Sequence, residues 1–164
     1  WDKKPIIVKG ITTGTTTSDL KTITATNKTG YTFSSWSSTS GKIDAKKTVT
    51  ATFTANPINF ANQTITKTFS TGAQTAGITG ASNGTGSYTY TEKSEKNASE
   101  TATNYISISG TTINIAANTP AGTYTYVITA TDNGSKVTKD ATYTINVARA
   151  KNASASASKK MMKK

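Results

Sequence analysis

Along much of this chain, apolar and polar side chains alternate with a period of two. Thr48-Val49-Thr50-Ala51-Thr52-Phe53-Thr54 places Val49, Ala51 and Phe53 on one face, the pattern of a half-buried strand. Tyr124, Tyr126, Ile128 and Ala130 share a face, and so do Tyr143, Ile145 and Val147, with Thr142, Thr144 and Asn146 between them pointing outward. Shorter runs extend the picture: Ile6-Ile7-Val8, residues 20–25, Tyr31 to Trp36 after a turn at Gly30, Ile58 and Phe60 then Ile65 and Phe69 around a polar jog, and Ser87 to Thr91 with Tyr88 and Tyr90 together. Ile106 and Ile108 meet Ile113 and Ile115 across a Gly110-Thr111 turn, as in a hairpin. Thr119-Pro120-Ala121-Gly122 reads as another turn, and Asp132-Asn133-Gly134 is expected to supply the positive-φ residues of a tight hairpin. No useful length of the chain has helical periodicity.

Punctuation divides the pattern into modules. Asn56-Pro57 interrupts a ladder, because proline donates no hydrogen bond and keeps the residue before it extended. The expected organisation is a small β module over 1–55, a β-sandwich over 57–148 with strands of five to ten residues, and a basic low-complexity tail over 149–164. Residues 70–87 read as a loop.

Composition modifies this picture in two ways. Charged residues are only 16% of the chain, and the net charge is +11, a combination that by itself suggests disorder. Against that, about a fifth of the residues are threonine, which suits a pleated, half-exposed surface, and the seven Tyr, four Phe and two Trp bury much area per residue. A thin but patterned core follows. The charge is also uneven: Arg149, Lys151, Lys159, Lys160, Lys163 and Lys164 give +6 without an acid, so 11 − 6 leaves +5 for residues 1–148.

The chain has no Cys and no His, which removes disulfides, thiolate or imidazole metal sites, cysteine nucleophiles and any Ser-His triad. No run approaches the roughly 18 apolar residues of a membrane span, so no transmembrane segment is expected. The opening Trp1-Asp2-Lys3-Lys4-Pro5 has neither an initiator Met nor a signal-peptide core, and the chain reads as a piece of something longer.

Gly30-Tyr31-Thr32-Phe33-x-x-Trp36, followed by Val49-Thr50-Ala51-Thr52-Phe53-Thr54, resembles the divergent internalin-type B repeat of bacterial surface proteins. The resemblance covers about 1–55 and implies a β-grasp-like fold, here partial because the helix-like stretch of fuller members is missing, with a structural aromatic cluster. Thr119-Pro120-Ala121-Gly122-Thr123-Tyr124 through Asp132, then Tyr143 to Val147, is similar to the last hairpin of bacterial immunoglobulin-like or cadherin-like repeats, over about 57–148. It implies an Ig-like antiparallel β-sandwich in which Tyr124 packs at the corner. Both resemblances imply stalk, spacer or adhesin modules at a cell surface or in a secreted protein, and neither implies a reaction. The fold class expected is all-β.

Candidate chemistry is sparse. Asp132-Asn133-Gly134 could be considered for calcium, but such a site wants six to eight oxygens, and Glu92, Glu95 and Glu100 lie in another loop; the turn reading is preferred. Lys67 shares the inward parity of Ile65 and Phe69 and is a candidate for an isopeptide cross-link, but Asn146 on the last strand has outward parity; an inward lysine also blunts an edge strand. The tail can attract polyanions such as cell-wall polymer, without the aromatics that would read nucleic acid. Of the aromatics able to stack on a sugar, most have core parity, and Tyr105 and Trp1 are less committed. The acids Asp2, Asp19, Asp44, Glu92, Glu95, Glu100, Asp132 and Asp140 are scattered rather than paired as a glycosidase needs. The sequence therefore assigns no catalytic, metal or cofactor residue, requires no cofactor and leaves any ligand-binding residue unknown. Two readings remain open: a spacer partnered by neighbouring domains, or a module that binds a glycan or a host ligand.

Overall fold

The computed structural model describes residues 26–37 and 50–150 and has nine strands among them, most of which follow the apolar–polar alternation of the sequence. Among these residues all regular structure is β. Expected strands at 6–8 and 20–25, the loop around Gly41, Val49, Trp1 and the tail beyond Ala150 lie outside the described residues. The chain groups into two compact units. The first takes in the described residues up to Ile58 together with Ser82–Ser87 and Asp132–Val137. The second takes in Asn59–Ala81, Tyr88–Thr131 and the described residues from Thr138 onward.

In the first unit, β1 (Tyr31–Trp36) pairs antiparallel with β2 (Ala51–Ala55). Strict alternation would turn Trp36 away from Phe33, since the two are three residues apart. The register shifts between Phe33 and Ser35, so that Phe33 opposes Phe53 and Trp36 opposes Ala51. Ser34 is thus the extra residue of a β-bulge, which returns the indole to the face of Phe33. The result is a cluster of Trp36, Phe33, Ala51 and Phe53. The Phe33 ring lies 5.3 Å from Trp36 and 5.9 Å, edge-on, from Phe53, separations at which aromatic pairs attract beyond the area they bury.

The second unit is a β-sandwich. One sheet has the order β3-β9-β8-β5 and the other β4-β7-β6, where β3 is Gln63–Thr68, β4 Gln74–Gly77, β5 Tyr88–Asn97, β6 Ile106–Ser109, β7 Thr112–Ile115, β8 Gly122–Asp132 and β9 Thr138–Ala148. In the four-stranded sheet β3, the first strand of this unit, lies beside β9, the last. One pair departs from the expected antiparallel arrangement: β3 and β9 are parallel.

The predicted parity of the long hairpin is what builds the core. Tyr124, Tyr126, Ile128 and Ala130 of β8 and Ala141, Tyr143, Ile145 and Val147 of β9 are buried, joined by Phe60, Ile106, Ile113 and Ile115. A fully buried aliphatic of this kind is worth about 1.5–3 kcal/mol. Between them, outward residues pair across the strands: the Thr123 hydroxyl donates to Asn146 Oδ1 at 2.9 Å and the Thr129 hydroxyl to Asp140 Oδ1 at 2.7 Å, the cross-strand contacts that make a threonine wall stable.

Three elements differ from expectation. Gln74–Gly77 is a strand inside the expected 70–87 loop, held by β7 rather than by any apolar alternation of its own. β5 continues past Thr91 to Asn97 through a run of polar residues. The β8–β9 connection takes its positive φ at Lys136 (64°), while neither Asn133 nor Gly134 is in that region. The Asp132 carbonyl accepts from Lys136 N and the Val137 carbonyl from Asp132 N, closing a loop longer than a tight two-residue turn.

Two core tyrosines make opposite demands. The Tyr124 hydroxyl donates to the Pro120 carbonyl at 2.8 Å, four residues upstream, the tyrosine-corner bond of sandwich folds. The Tyr143 hydroxyl is buried with no hydrogen bond of normal geometry; burial pushes its pKa up to about 12, the Thr79 backbone opposing and Tyr90 adding. Tyr124→Phe is therefore expected to cost about 1 kcal/mol more than Tyr143→Phe, as read from paired urea titrations; equal costs would contradict both assignments.

Candidate functional site

Asp132 extends the inward parity of β8 by one more step, and its side chain is fully buried. A buried carboxylate is tolerated only where donors satisfy it. Four do so, all within the first unit. Thr85 N lies 3.2 Å from both Oδ1 and Oδ2, the Thr85 hydroxyl donates to Oδ1, Ser135 N lies 3.3 Å from Oδ2, and the Ser135 hydroxyl donates to Oδ2. Burial alone would raise the pKa. The hydrogen bonds from Ser135 and Thr85 outweigh it and hold the carboxyl at about 2.

Thr85 is also where backbone closes in. A Cβ on Gly30 would sit 2.6 Å from Thr85 N, and one on Gly134 would sit 2.5 Å from the Thr85 hydroxyl. The Tyr31 hydroxyl donates to the Gly134 carbonyl at 3.3 Å, Asn83 Nδ2 to the Pro57 carbonyl at 2.8 Å, and Asn56 N to the Gly30 carbonyl at 2.9 Å. Asp132 thus organises a small hydrogen-bonded knot. With its lone pairs directed at four donors, it presents nothing to a cation. Among the described residues there is no group of three or more acidic, His or Cys side chains able to hold a metal ion.

The other described carboxylates are engaged as well. Glu95 Oε1, buried on β5, accepts from the Thr103 hydroxyl and from the amides of Tyr105 and Ile106 at 3.2 and 3.1 Å, clasping the loop between β5 and β6. Glu92 accepts from the Tyr126 hydroxyl at 3.2 Å, and Tyr126 has its pKa raised first by burial and then by this carboxylate. Glu100 pairs with Lys96 at 3.2 Å, and Asp140 with Lys93 and Thr129. The ion pairs are exposed and contribute little to stability. Asp2, Asp19 and Asp44 lie outside the described residues.

Lys67 is half-buried on β3 and stands opposite Val147 in the register. Asn146, one step along, faces the outer wall and holds the Thr123 hydroxyl. Of the aromatics considered for sugar stacking, Tyr31, Trp36, Tyr124, Tyr126 and Tyr143 are buried, and Tyr88 and Tyr90 are half-buried. Tyr105 is 37% exposed, and its ring meets that of Tyr124 edge-on at 5.9 Å.

Sequence reasoning misses Asp132 and Glu95 as buried anchors. For Asp132 the signal is present, since it occupies the next inward position after Ala130. For Glu95 there is none, because the parity of Tyr88 and Tyr90 does not reach it.

Comparison with known proteins adds one likeness. The family model for the divergent InlB B-repeat domain matches residues 8–73, a stretch that runs past Asn56-Pro57 and takes in β3. No curated protein and no solved structure matches the chain. No helix among the described residues is long and apolar enough to cross a membrane.

Proposed function

We propose that the chain is a non-catalytic spacer within a bacterial cell-surface or secreted multidomain protein, part of a stalk or adhesin, and that its partners are the neighbouring domains of a longer chain. Its organisation, on this reading, is a B-repeat-like module over 1–55, an immunoglobulin-like sandwich over 57–148 and a basic linker over 149–164. The similarity of residues 8–73 to a repeat domain typical of surface proteins supports the first module. The observation that carries the non-catalytic reading is the commitment of Glu92, Glu95 and Asp132 to backbone and hydroxyl donors within the fold, since a carboxylate so engaged is a poor acid, base or nucleophile.

A second reading, a carbohydrate- or host-ligand-binding module, rests on Tyr105, whose exposed ring is backed by Tyr124. The two are separated by a glycan array probed with the full chain. A spacer is expected to give no saturable signal, whereas saturable binding abolished by Tyr105→Ala would replace the spacer reading with the binding one.

A further inference from the structure

The parallel pairing of β3 with β9 has a mechanical meaning. The ladder runs from Gln63 opposite Tyr143 to Thr68 opposite Ala148. It is extended at both ends, where Thr142 N donates to Asn62 Oδ1 at 2.8 Å and Phe69 N to the Ala148 carbonyl at 2.7 Å. Chain enters β3 at the Gln63 end and leaves β9 at the Ala148 end, so tension along the chain pulls the two strands past each other from opposite ends of one ladder.

Geometry then decides how the bonds fail. In an antiparallel hairpin loaded at its open end, force falls on one bond pair at a time. In a parallel pair loaded from opposite ends, it is shared by every bond between the points of attachment, and these must yield together. Inward Tyr143, Ile145 and Val147 resist the same sliding, because β9 cannot advance without dragging buried side chains through a close-packed core.

We infer that the sandwich is built to resist force, with β3 and β9 as a shear clamp that keeps the module folded under tension along the chain. The inference rests on the spacer reading for its biological use but not for its physics.

The absence of cysteine from the chain makes the test direct, because engineered cysteines become unique handles. The full chain would be pulled in two geometries: between Ala61→Cys and Ala150→Cys, which loads the β3–β9 ladder in shear, and between Ala121→Cys and Ala150→Cys, which opens the β8–β9 hairpin from the end where Gly122 opposes Val147. All three positions are exposed. The unfolding force in the first geometry is expected to be several-fold higher, and equal forces would overturn the clamp. Phe69 donates to β9, and alternate residues of a parallel strand face the same neighbour, so Lys67→Pro removes an amide of the ladder. It is expected to lower the shear force while Lys67→Ala leaves it unchanged; a proline variant as strong as its parent would also count against the proposal. Should Lys67→Pro not fold, the comparison of geometries stands without it. A weak clamp with no ligand leaves a low-force spacer, whereas a glycan ligand on a strong clamp removes the spacer reading alone.

Discussion

Asp132→Ala is expected to destabilise the first unit by about 3 kcal/mol, since hydrogen bonds to a buried charge are worth about 1.5–3 kcal/mol and truncation leaves their donors unpaired. The amides and hydroxyls of Thr85 and Ser135 all converge on this carboxylate. Hydrogen exchange at the amides of β1 and β2 would measure the loss locally, and protection changed by less than about 1 kcal/mol would remove Asp132 from its central role. The same group fixes an acid limit. Its pKa is about 2 in the folded protein against an ordinary 3.8. The folded state therefore prefers the ionised form, and this stabilisation is complete above the ordinary value and lost as pH falls from about 4 towards 2, a change of about 2 kcal/mol. In Asp132→Ala this part of the acid sensitivity should be gone.

Gly30→Ala is expected to cost about as much, for a different reason. Gly30 has φ 79°, a region that costs an L-residue about 1–2 kcal/mol. The added methyl would also meet backbone, Thr85 N at 2.6 Å and Gly84 C at 2.7 Å, which cannot swing aside as a side-chain tip can. Gly110 supplies the control. It has φ 57°, and a methyl added there would have no neighbour within 4 Å, so Gly110→Ala should cost only the backbone part. A difference of about 2 kcal/mol between the two variants in urea unfolding, with Gly30→Ala the worse, is the expected outcome. Equal costs would mean that Thr85 and Gly84 do not press on Gly30.

Local features were legible in the sequence and long-range ones were not. The inward sets of β8 and β9 could be read directly because period two is a property of the strand itself. The corner position of Tyr124 is instead an expectation carried by the resemblance of the stretch from Thr119 to Asp132 to the last hairpin of immunoglobulin-like repeats. Gln74–Gly77 could not be read, because Gln-Thr-Ala-Gly carries no apolar rhythm and becomes a strand only when β7 offers it hydrogen bonds. The bulge at Ser34 was equally hidden: it is visible only as a mismatch between the spacing of Phe33 and Trp36 and their common face. Asn133-Gly134 pointed to a tight turn, yet Asp132 turns inward to Thr85 and Ser135, and the longer loop that results passes its positive φ to Lys136. Thr85, which organises that knot, carries no local mark at all, since its role depends on Asp132, 47 positions away.

The partnership of β3 with β9 also sets an order of events at birth. Gln63 finds its neighbour at Tyr143, so a chain emerging amino end first, from a ribosome or through an export pore, must carry β3 unpaired until nearly the whole sandwich has followed. Such a strand is open to capture by other chains in the interval. Threonines on one side and a lysine at position 67 on the other make it a poor template for that capture, and the module closes only once its final strand is delivered.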